Sequence, residues 1–265
     1  MREITLVKLG GSLITNKSRP YTARPRVIER LAREIKMAWD EGFRFLVAHG
    51  SGSFGHTSAA KYATAEGLKN KKSVYGLAVV QQDAIKINRI VNEIFLKVGL
   101  PVLSFIPSSF TIAKNKKLTS IFTRPIVEAL KIGALPLVFG DIILDKRLGC
   151  CIYSGETTLD NLIEPLSKEG YRIDKVIQCG NTDGVYDGQG KTVARITPRN
   201  FKKIAKELGN SAAIDVTGGM LHKVEECLKM AKRGIDCLII NGETKGNLFK
   251  AITGKEAAGT LIAAC

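Results

Sequence analysis

Short apolar segments and amphipathic helices alternate along the whole 265-residue chain. Apolar segments such as ITLVKLGG (4–11) and FRFLVAHG (43–50) end in glycine, as strands that lead into tight turns do. Between them, stretches such as 26–42 and 74–98 carry apolar residues at helical spacing. This alternation predicts an α/β fold, a three-layer αβα sandwich around a mainly parallel central sheet. No clear linker interrupts it, so we expect a single domain over 1–265.

The remaining elements follow the same pattern. We expect further helices and strands, together with one hairpin, in the segments 100–107 (strand), 123–133 (helix), 134–141 (strand), 145–153 (hairpin), 171–184 (strand), 220–234 (helix) and 235–242 (strand).

The chain is strongly basic. Its 40 Lys and Arg residues outnumber 25 Asp and Glu residues, which gives a net charge of +15. Such an excess suits a solvated surface, an enzyme for small polyanions, or a nucleic-acid-binding protein. The basic residues are spread along the chain without a basic tail or zinc-finger spacing, so we expect no nucleic-acid partner.

Neither a membrane segment nor a metal motif is visible in the sequence. No apolar run approaches the roughly 20 residues that span a bilayer, and MREITLVKLGG lacks the features of a signal peptide. We therefore expect a cytoplasmic protein without membrane partners. The six cysteines show no C-x-x-C spacing, which favours reduced and mostly buried thiols over zinc or disulfides.

The residue spacing of the loop HGSGSFGH (49–56) partly matches two nucleotide-binding motifs. Its glycines match G-x-G-x-x-G, but the acidic residue that this motif needs about 20 residues later is replaced by the basic stretch KNKKSVYG. It also looks like a Walker A loop in which His56 replaces the lysine. Both motifs share backbone N–H groups that close on an anion at a helix N-terminus. We expect this loop to bind a phosphate, with His56 as an added donor.

Four other glycine- or aspartate-containing loops also follow strands or precede a helix. They are VKLGGSLITNK (7–17), FGD (139–141), NTDGVYD (181–187) and DVTGGMLHK (215–223). Because ligands of parallel sheets bind at the carboxyl ends of the strands, we expect these loops to meet.

Taken together, these loops resemble those of the amino acid kinase family. VKLGGS with a downstream lysine, HGSGSFGH, FGD, SGE, TDGVYD, DVTGGM and a final G…GT occur in the family's order over essentially the whole chain. The loop that ends in SFGH is similar to the branch that phosphorylates phosphate monoesters. The resemblance implies ATP-dependent conversion of isopentenyl phosphate to isopentenyl diphosphate, in a mevalonate-type variant of isoprenoid biosynthesis. It also implies Mg²⁺ on the ATP oxygens and a homodimer.

Two alternatives remain open at this point. One is a kinase for another small phosphate or phosphonate, such as fosfomycin. The other, from a different class, is a basic non-catalytic protein that binds nucleotides or nucleic acid.

The resemblance also assigns roles to residues. It implies an acceptor lobe (about 1–150) and an ATP-binding lobe (about 151–265). The implied catalytic residues are Lys8, Lys17, His56, Asp141, Asp160 and Lys223. The implied substrate-binding residues are Gly10, Gly11, Gly50, Ser51, Gly52, Gly55, His56, Tyr75, Val79 and Gly155. The implied nucleotide-binding residues are Lys8, Thr182, Asp183, Gly184, Tyr186, Gly218, Gly219 and Lys223.

One acidic position departs from the family pattern. The family has S-G-D about 20 residues before T-D, where the aspartate organises the lysines, whereas this chain has SGE at 154–156. Asp160 is closer to the usual separation than Glu156, and both lie on one helix face, so we favour Asp160 and place Glu156 second. We expect Asp141 to orient a lysine as well. Tyr75, Val79 and Val80 are the candidates for a pocket around the alkyl tail.

Overall fold

The computed structural model describes residues 2–210 and 219–264 and follows the predicted alternation of strands and helices. The strands are β1 (Arg2–Leu9), β2 (Phe45–His49), β3 (Val102–Ser104), β4 (Thr111–Lys114), β5 (Lys117–Ile121), β6 (Leu135–Phe139), β7 (Asp141–Asp145), β8 (Gly149–Tyr153), β9 (Tyr171–Gly180), β10 (Arg195–Ile196), β11 (Asp236–Asn241) and β12 (Gly259–Ile262). The helices are α1 (Gly11–Ile14), α2 (Pro25–Asp40), α3 (Gly52–Tyr62), α4 (Lys71–Lys97), α5 (Pro107–Phe110), α6 (Arg124–Lys131), α7 (Gly155–Lys168), α8 (Pro198–Asn210), α9 (Gly219–Lys232) and α10 (Asn247–Thr253).

Eight strands form the central sheet in the order β10-β12-β11-β9-β1-β2-β6-β3. All neighbouring pairs are parallel except β11 and β12, which confirms the predicted mainly parallel sheet. Every residue of β2 and of β6 is buried, as expected for strands that are covered by helices on both faces. Successive residues of β1 point to opposite faces, so that Leu6 packs in one hydrophobic cluster and Val7 in the other.

A second sheet, in the order β5-β4-β7-β8, was not predicted as a unit. Only its β7–β8 hairpin was expected, and the structure confirms that hairpin. The strands β4 and β5 are short, and β5 is largely exposed, so no run of apolar residues marks this pair in the sequence. This sheet brings β8 to the edge of the cleft described below.

Local interactions explain where α4 begins. Asn70 caps the helix by accepting a hydrogen bond from the Ser73 backbone N–H at 3.1 Å, and the Ser73 Oγ accepts a hydrogen bond from the Asn70 backbone N–H at 3.3 Å. The helix therefore starts at Lys71, three residues before the predicted boundary. Within the described ranges, no helix is long and apolar enough to cross a membrane. The five cysteines in those ranges are free and buried, as predicted.

Candidate active site

A cleft of about 670 Å³ opens at the carboxyl ends of β1, β2 and β6. Strand ends and helix starts converge here, as parallel α/β sheets require. The cleft brings together most of the predicted acceptor-site residues: Lys8, Gly11, Lys17, Gly50, Ser51, Gly52, Gly55, His56, Asp141 and Gly155. Glu156, the second choice for organising the lysines, also lines it.

The glycines allow neighbouring loops to touch backbone to backbone. A Cβ on Gly11 would lie 2.7 Å from the Gly52 nitrogen, and one on Gly50 would lie 2.8 Å from the Gly11 nitrogen. Gly52 adopts φ +51°, and a Cβ there would lie 2.1 Å from the Thr15 Oγ1. Any larger residue at these positions would force the two loops apart and widen the cleft.

Strand ends are also tied together by glycine N–H groups. The Gly10 N–H donates to the Cys179 carbonyl at 2.8 Å, the Gly50 N–H to the Leu9 carbonyl at 3.0 Å, and the Gly140 N–H to the His49 carbonyl at 2.8 Å. These bonds hold the starts of α1 and α3 at the cleft. Because helix N-termini carry partial positive charge, this edge of the sheet favours an anion.

Lys8 and Glu156 form an ion pair at the polar end of the cleft. The Lys8 side chain is only 9% exposed and that of Glu156 25% exposed. Burial opposes ionisation of Glu156, but the charge and hydrogen bond of Lys8, its own N–H and the charge of Lys223 together lower its pKa. Glu156 is therefore the carboxylate that holds Lys8 in place.

The preference for Asp160 is wrong. Asp160 accepts a hydrogen bond from Arg233 Nη1 at 2.9 Å instead of contacting Lys8, and it does not line the cleft. Asp160 lies one helical turn beyond Glu156 along α7, about 6 Å further from the open end of the sheet. Its pKa is raised chiefly by burial, and the Arg233 charge only partly offsets this effect.

Lys17 and His56 face the same space from two different elements. Partial desolvation of the imidazole, together with the charges of Lys17 and Lys8, lowers the pKa of His56. The lowered pKa favours the neutral form of the His56 ring. A bound phosphate would reverse this balance, because it favours the protonated ring.

Within the described residues, no hydrogen bond or ion pair joins Asp141 to a lysine, which corrects the expectation that Asp141 orients one. Its Oδ2 accepts a hydrogen bond from the Ser108 N–H at 3.0 Å, and its Oδ1 from the Ile142 N–H at 2.8 Å. Burial raises its pKa, although these hydrogen bonds act in the opposite direction. Asp141 fixes the start of α5 and β7 beside the cleft.

The rest of the cleft is lined mainly by apolar side chains, with Glu66 as an exception, but two of the residues predicted for this part lie elsewhere. Tyr75 is 64% exposed and packs edge-on against Tyr62, and neither it nor Val79 lines the cleft. Of the three candidates on α4, Val80 is the one that faces the cleft, because it is 3% exposed and lines the cleft. The other apolar lining residues, which the sequence analysis missed, are Ala59, Ala60, Ala63, Ala65, Ala84, Ile152 and Tyr153. The small residues at 59 and 60 on α3, and at 63 directly after it, are the signal that could have indicated this space.

The predicted nucleotide loop lies beside the cleft, at the end of β9. Asp183 Oδ1 accepts a hydrogen bond from Asn241 Nδ2 at 2.8 Å, and the Asp183 N–H donates to the Tyr186 hydroxyl at 3.0 Å. Gly184 adopts φ +127° and leaves room for Thr260, whose Oγ1 accepts from the Val185 N–H at 2.8 Å. The preformed loop, which includes Thr182, is next to β1 because β9 pairs with β1.

Two of the predicted nucleotide-binding residues belong to helix α9. Gly219 begins α9, and Lys223 on that helix lies close enough to Glu156 to lower its pKa. Gly218, with the Thr217 that precedes it, lies outside the described residues.

His49 is a polar residue beneath the cleft that the sequence analysis did not select. It is fully buried, and burial lowers its pKa to about 4, so the ring is neutral. Nδ1 donates to the Gly50 carbonyl at 3.1 Å, and Nε2 accepts from Asn88 Nδ2 at 3.1 Å. These two bonds tie the glycine loop to α4, and only the folded arrangement of β2 and α4 reveals them.

Comparisons with known proteins agree with this architecture. The sequence profile of the amino acid kinase family matches residues 3–241. The chain is 33% identical over 270 residues to the isopentenyl phosphate kinase of Methanocaldococcus jannaschii, with 98% of each sequence covered. It is 32% identical to the isopentenyl phosphate kinase of Methanothermobacter thermautotrophicus, covering 97% of this chain and 98% of that one. A solved isopentenyl phosphate kinase superposes with a TM-score of 0.77 at 30% identity, covering 98% of this chain and 100% of the other.

Proposed function

The chain belongs to the amino acid kinase family, and from this premise we propose that it transfers the γ-phosphoryl group of ATP to isopentenyl phosphate. The products are ADP and isopentenyl diphosphate, a building block for isoprenoids. The similarity to isopentenyl phosphate kinases extends over nearly the whole chain, and it supports this substrate over the alternatives left open by the sequence.

The observation that carries the proposal is the division of one cleft into a cationic end and an apolar end. Lys8, Lys17 and His56 lie at the cationic end, beside the glycine loop. Val80 and the α3 alanines line the apolar end. A short alkyl chain that carries a phosphate has the same division, and its tail removes apolar surface from water at about 25 cal/mol per Å².

Catalysis by these residues needs positive charge and positioning rather than proton removal. The acceptor oxygen belongs to a phosphate that is already ionised near pH 7, so no general base is required. Two unit charges about 4 Å apart repel by about 1 kcal/mol in water and about 4 kcal/mol at an effective dielectric of 20. Each phosphate carries more than one charge, so fixed cations must offset a repulsion several times larger.

Each cation has a proposed role. Lys8, held by Glu156, contacts the transferred phosphoryl group, and Lys17 reaches the same group from its loop. His56 and the Gly50–Gly55 backbone hold the phosphate of the acceptor. Lys223 approaches the ATP phosphates from α9.

We place ATP in the lobe formed by about 151–265 and the acceptor in the lobe formed by about 1–150. The loop 181–186 is the proposed nucleotide site because it lies beside Gly10 at the end of β9. Among residues 2–210 and 219–264, no three His, Cys, Asp or Glu side chains form a metal-binding group. We propose that Mg²⁺ accompanies ATP and would be held by its phosphate oxygens. Cytoplasmic location and a homodimer remain predictions.

A substrate panel tests the proposal. ADP release is measured with isopentenyl phosphate, other alkyl monophosphates, fosfomycin, uridylate and acetylglutamate as acceptors. We expect the highest kcat/KM with isopentenyl phosphate, and loss of turnover in Lys8→Ala and His56→Ala with the fold retained by circular dichroism. Faster turnover of fosfomycin or of a carboxylate would refute the substrate assignment. Salt-sensitive DNA or RNA binding that persists in Lys8→Ala, without any turnover, would indicate the non-catalytic alternative.

A further inference from the structure

The segment that carries Lys17 forms a small flap over the cleft, residues 16–22. Its base is closed by a backbone bridge between Thr15 and Ala23 and by the Asn16 N–H, which donates to the Thr22 carbonyl at 2.8 Å. Beyond this base, residues 17 to 21 are exposed. A flap held only at its base would leave the Lys17 ammonium free to swing away from the cleft.

Tyr21 connects the flap to helix α3. Its ring meets the buried ring of Phe54 edge-on, with centroids 5.9 Å apart and an interplanar angle of 87°. Thr22, the next residue, donates its N–H to the Ser53 Oγ at 3.4 Å. Phe54 lies two residues before His56 on the same helix. The contact therefore joins the element that carries Lys17 to the element that carries His56.

The backbone of Tyr21 pays a conformational cost for this contact. It adopts φ +53°, in the left-handed region that residues with a Cβ rarely enter. Strained positions of this kind persist where the surrounding structure enforces them, and they concentrate at functional sites. At Tyr21 the left-handed conformation occurs together with the ring contact to Phe54 on α3.

A buried carboxylate lies near the hydroxyl of Tyr21. Asp83 on α4 is 3% exposed; its Oδ1 accepts a hydrogen bond from Lys86 at 2.9 Å, and its Oδ2 has no hydrogen-bond partner within the described ranges. Partial desolvation of the hydroxyl, together with the charge and hydrogen bonding of the Asp83 carboxylate, raises the pKa of Tyr21, and the Lys86 charge opposes this shift. The neutral hydroxyl is thus available as a donor toward α4.

We propose that Tyr21 is a positioning residue that docks the flap on α3 and thereby keeps Lys17 over the cleft. The catalytic consequence rests on the proposed function, because it requires Lys17 to act on the transferred phosphoryl group. The docking itself does not depend on any substrate. The two parts can therefore be tested separately.

Trypsin tests the docking without using activity. Arg19 and Arg24 each precede a proline, where trypsin cleaves poorly, so Lys17–Ser18 is the tryptic bond of the flap. Under native conditions without ligand, we expect Tyr21→Ala to speed release of the fragment 1–17 by about five- to tenfold, because the loss of an edge-on ring contact raises the open population. Tyr21→Phe keeps the ring and should show a smaller increase. Tyr75→Ala, which removes a comparable exposed ring contact outside the cleft, should leave the rate unchanged.

A double-mutant cycle with Lys17 tests the catalytic consequence. We expect Tyr21→Ala to lower kcat by about tenfold with little change in the KM for ATP, since misplacement of a catalytic group by about 1 Å can cost about 100-fold and the flap stays tied at its base. The same substitution in a Lys17→Ala background should then have almost no further effect. A merely structural role would lower activity equally in both backgrounds.

The outcomes separate the two proposals. Cleavage of Tyr21→Ala at the wild-type rate overturns the docking, whatever the enzyme phosphorylates. An undiminished loss of kcat in the Lys17→Ala background overturns positioning through Lys17. If the wild type does not turn over isopentenyl phosphate, the proposed function fails, and accelerated cleavage in Tyr21→Ala still establishes the docking.

Discussion

The substitution Glu156→Gln tests the cationic end of the cleft most directly. It keeps the size of the side chain but removes the charge that faces Lys8, whose own side chain is 9% exposed. At an effective dielectric of 20, an ion pair at 4 Å is worth about 4 kcal/mol before desolvation is subtracted. Because the Glu156 side chain is 25% exposed, solvation by water replaces part of this ion-pair energy when the pair is broken. We expect a loss of about 1–3 kcal/mol in the free energy of unfolding, the cost of leaving a buried polar group poorly paired.

The pH dependence of stability should change with it. The pKa of Glu156 is lowered in the folded state, mainly by Lys8 acting against burial. A carboxylate of this kind stabilises the fold above its unfolded pKa, and that stabilisation is lost as pH falls through the folded value. The stability difference between wild type and Glu156→Gln should therefore be full at pH 7 and shrink below about pH 4.5. Thermal denaturation over pH 3 to 7 measures this difference.

Kinetics should separate positioning from binding. Without Glu156, Lys8 loses its fixed orientation, and we expect kcat to fall by about 100-fold, equivalent to about 2.7 kcal/mol of transition-state stabilisation. Removing a negative charge from the cleft weakens the repulsion between the cleft and its two polyanionic substrates. The KM for isopentenyl phosphate should therefore stay the same or decrease. Steady-state rates with each substrate varied in turn give both quantities.

Asp160→Asn is the matched control from the same helix face. Its pair with Arg233 is more exposed, at 32% and 41% of the two side chains, and such pairs contribute about 0–1 kcal/mol. We expect nearly unchanged stability and unchanged kcat. A wild-type kcat in Glu156→Gln, or an equal loss in Asp160→Asn, would refute the assignment of Glu156 as the residue that holds Lys8.

Three further predictions concern the glycine loop and the apolar end. Gly52→Ala should lower the free energy of unfolding by at least about 1–3 kcal/mol and weaken phosphate binding, because its φ is +51° and its Cβ would strike Thr15. The control Gly190→Ala, at φ +79° in open space, should lower the free energy of unfolding by only about 1 kcal/mol and leave phosphate binding intact. Thermal melts measure the stability of both variants, and calorimetry measures their phosphate binding. Binding of isopentenyl phosphate should be accompanied by proton uptake at His56, whose pKa is lowered by desolvation and by the charges of Lys17 and Lys8. Calorimetry in buffers of different ionisation enthalpy should detect a net proton uptake at pH 7 that is smaller in His56→Asn. Ala60→Phe should weaken binding of isopentenyl phosphate at least tenfold by filling the apolar end, and it should leave the binding of inorganic phosphate unchanged. Equal weakening of both ligands would show that the alkyl tail does not bind there.

Much of this arrangement is a consequence of patterns that are local in the sequence. Apolar runs that end in glycine predict β1, β2, β6 and β9, and their alternation with helices predicts a mainly parallel sheet. That topology places every strand's carboxyl end at the same edge, so Lys8, the loop around Gly50 and Asp141 had to meet there.

Tertiary structure decided the contacts within that edge, because they depend on how far each helix extends and which way it is turned. Glu156 and Asp160 share a helix face, but α7 starts at Gly155, so the first reaches Lys8 and the second meets Arg233 after α9. Asp141 follows a strand as predicted, yet the nearby α5 occupies its carboxylate through Ser108. Likewise Val80 faces the cleft and Tyr75 does not, since the rotation of α4 is fixed by its packing against α3. Residue spacing along one element carries no information about which distant element will pack against it. The partners Lys8, Arg233 and Ser108 belong to elements that lie far along the chain from the carboxylates they contact, so spacing could not predict them.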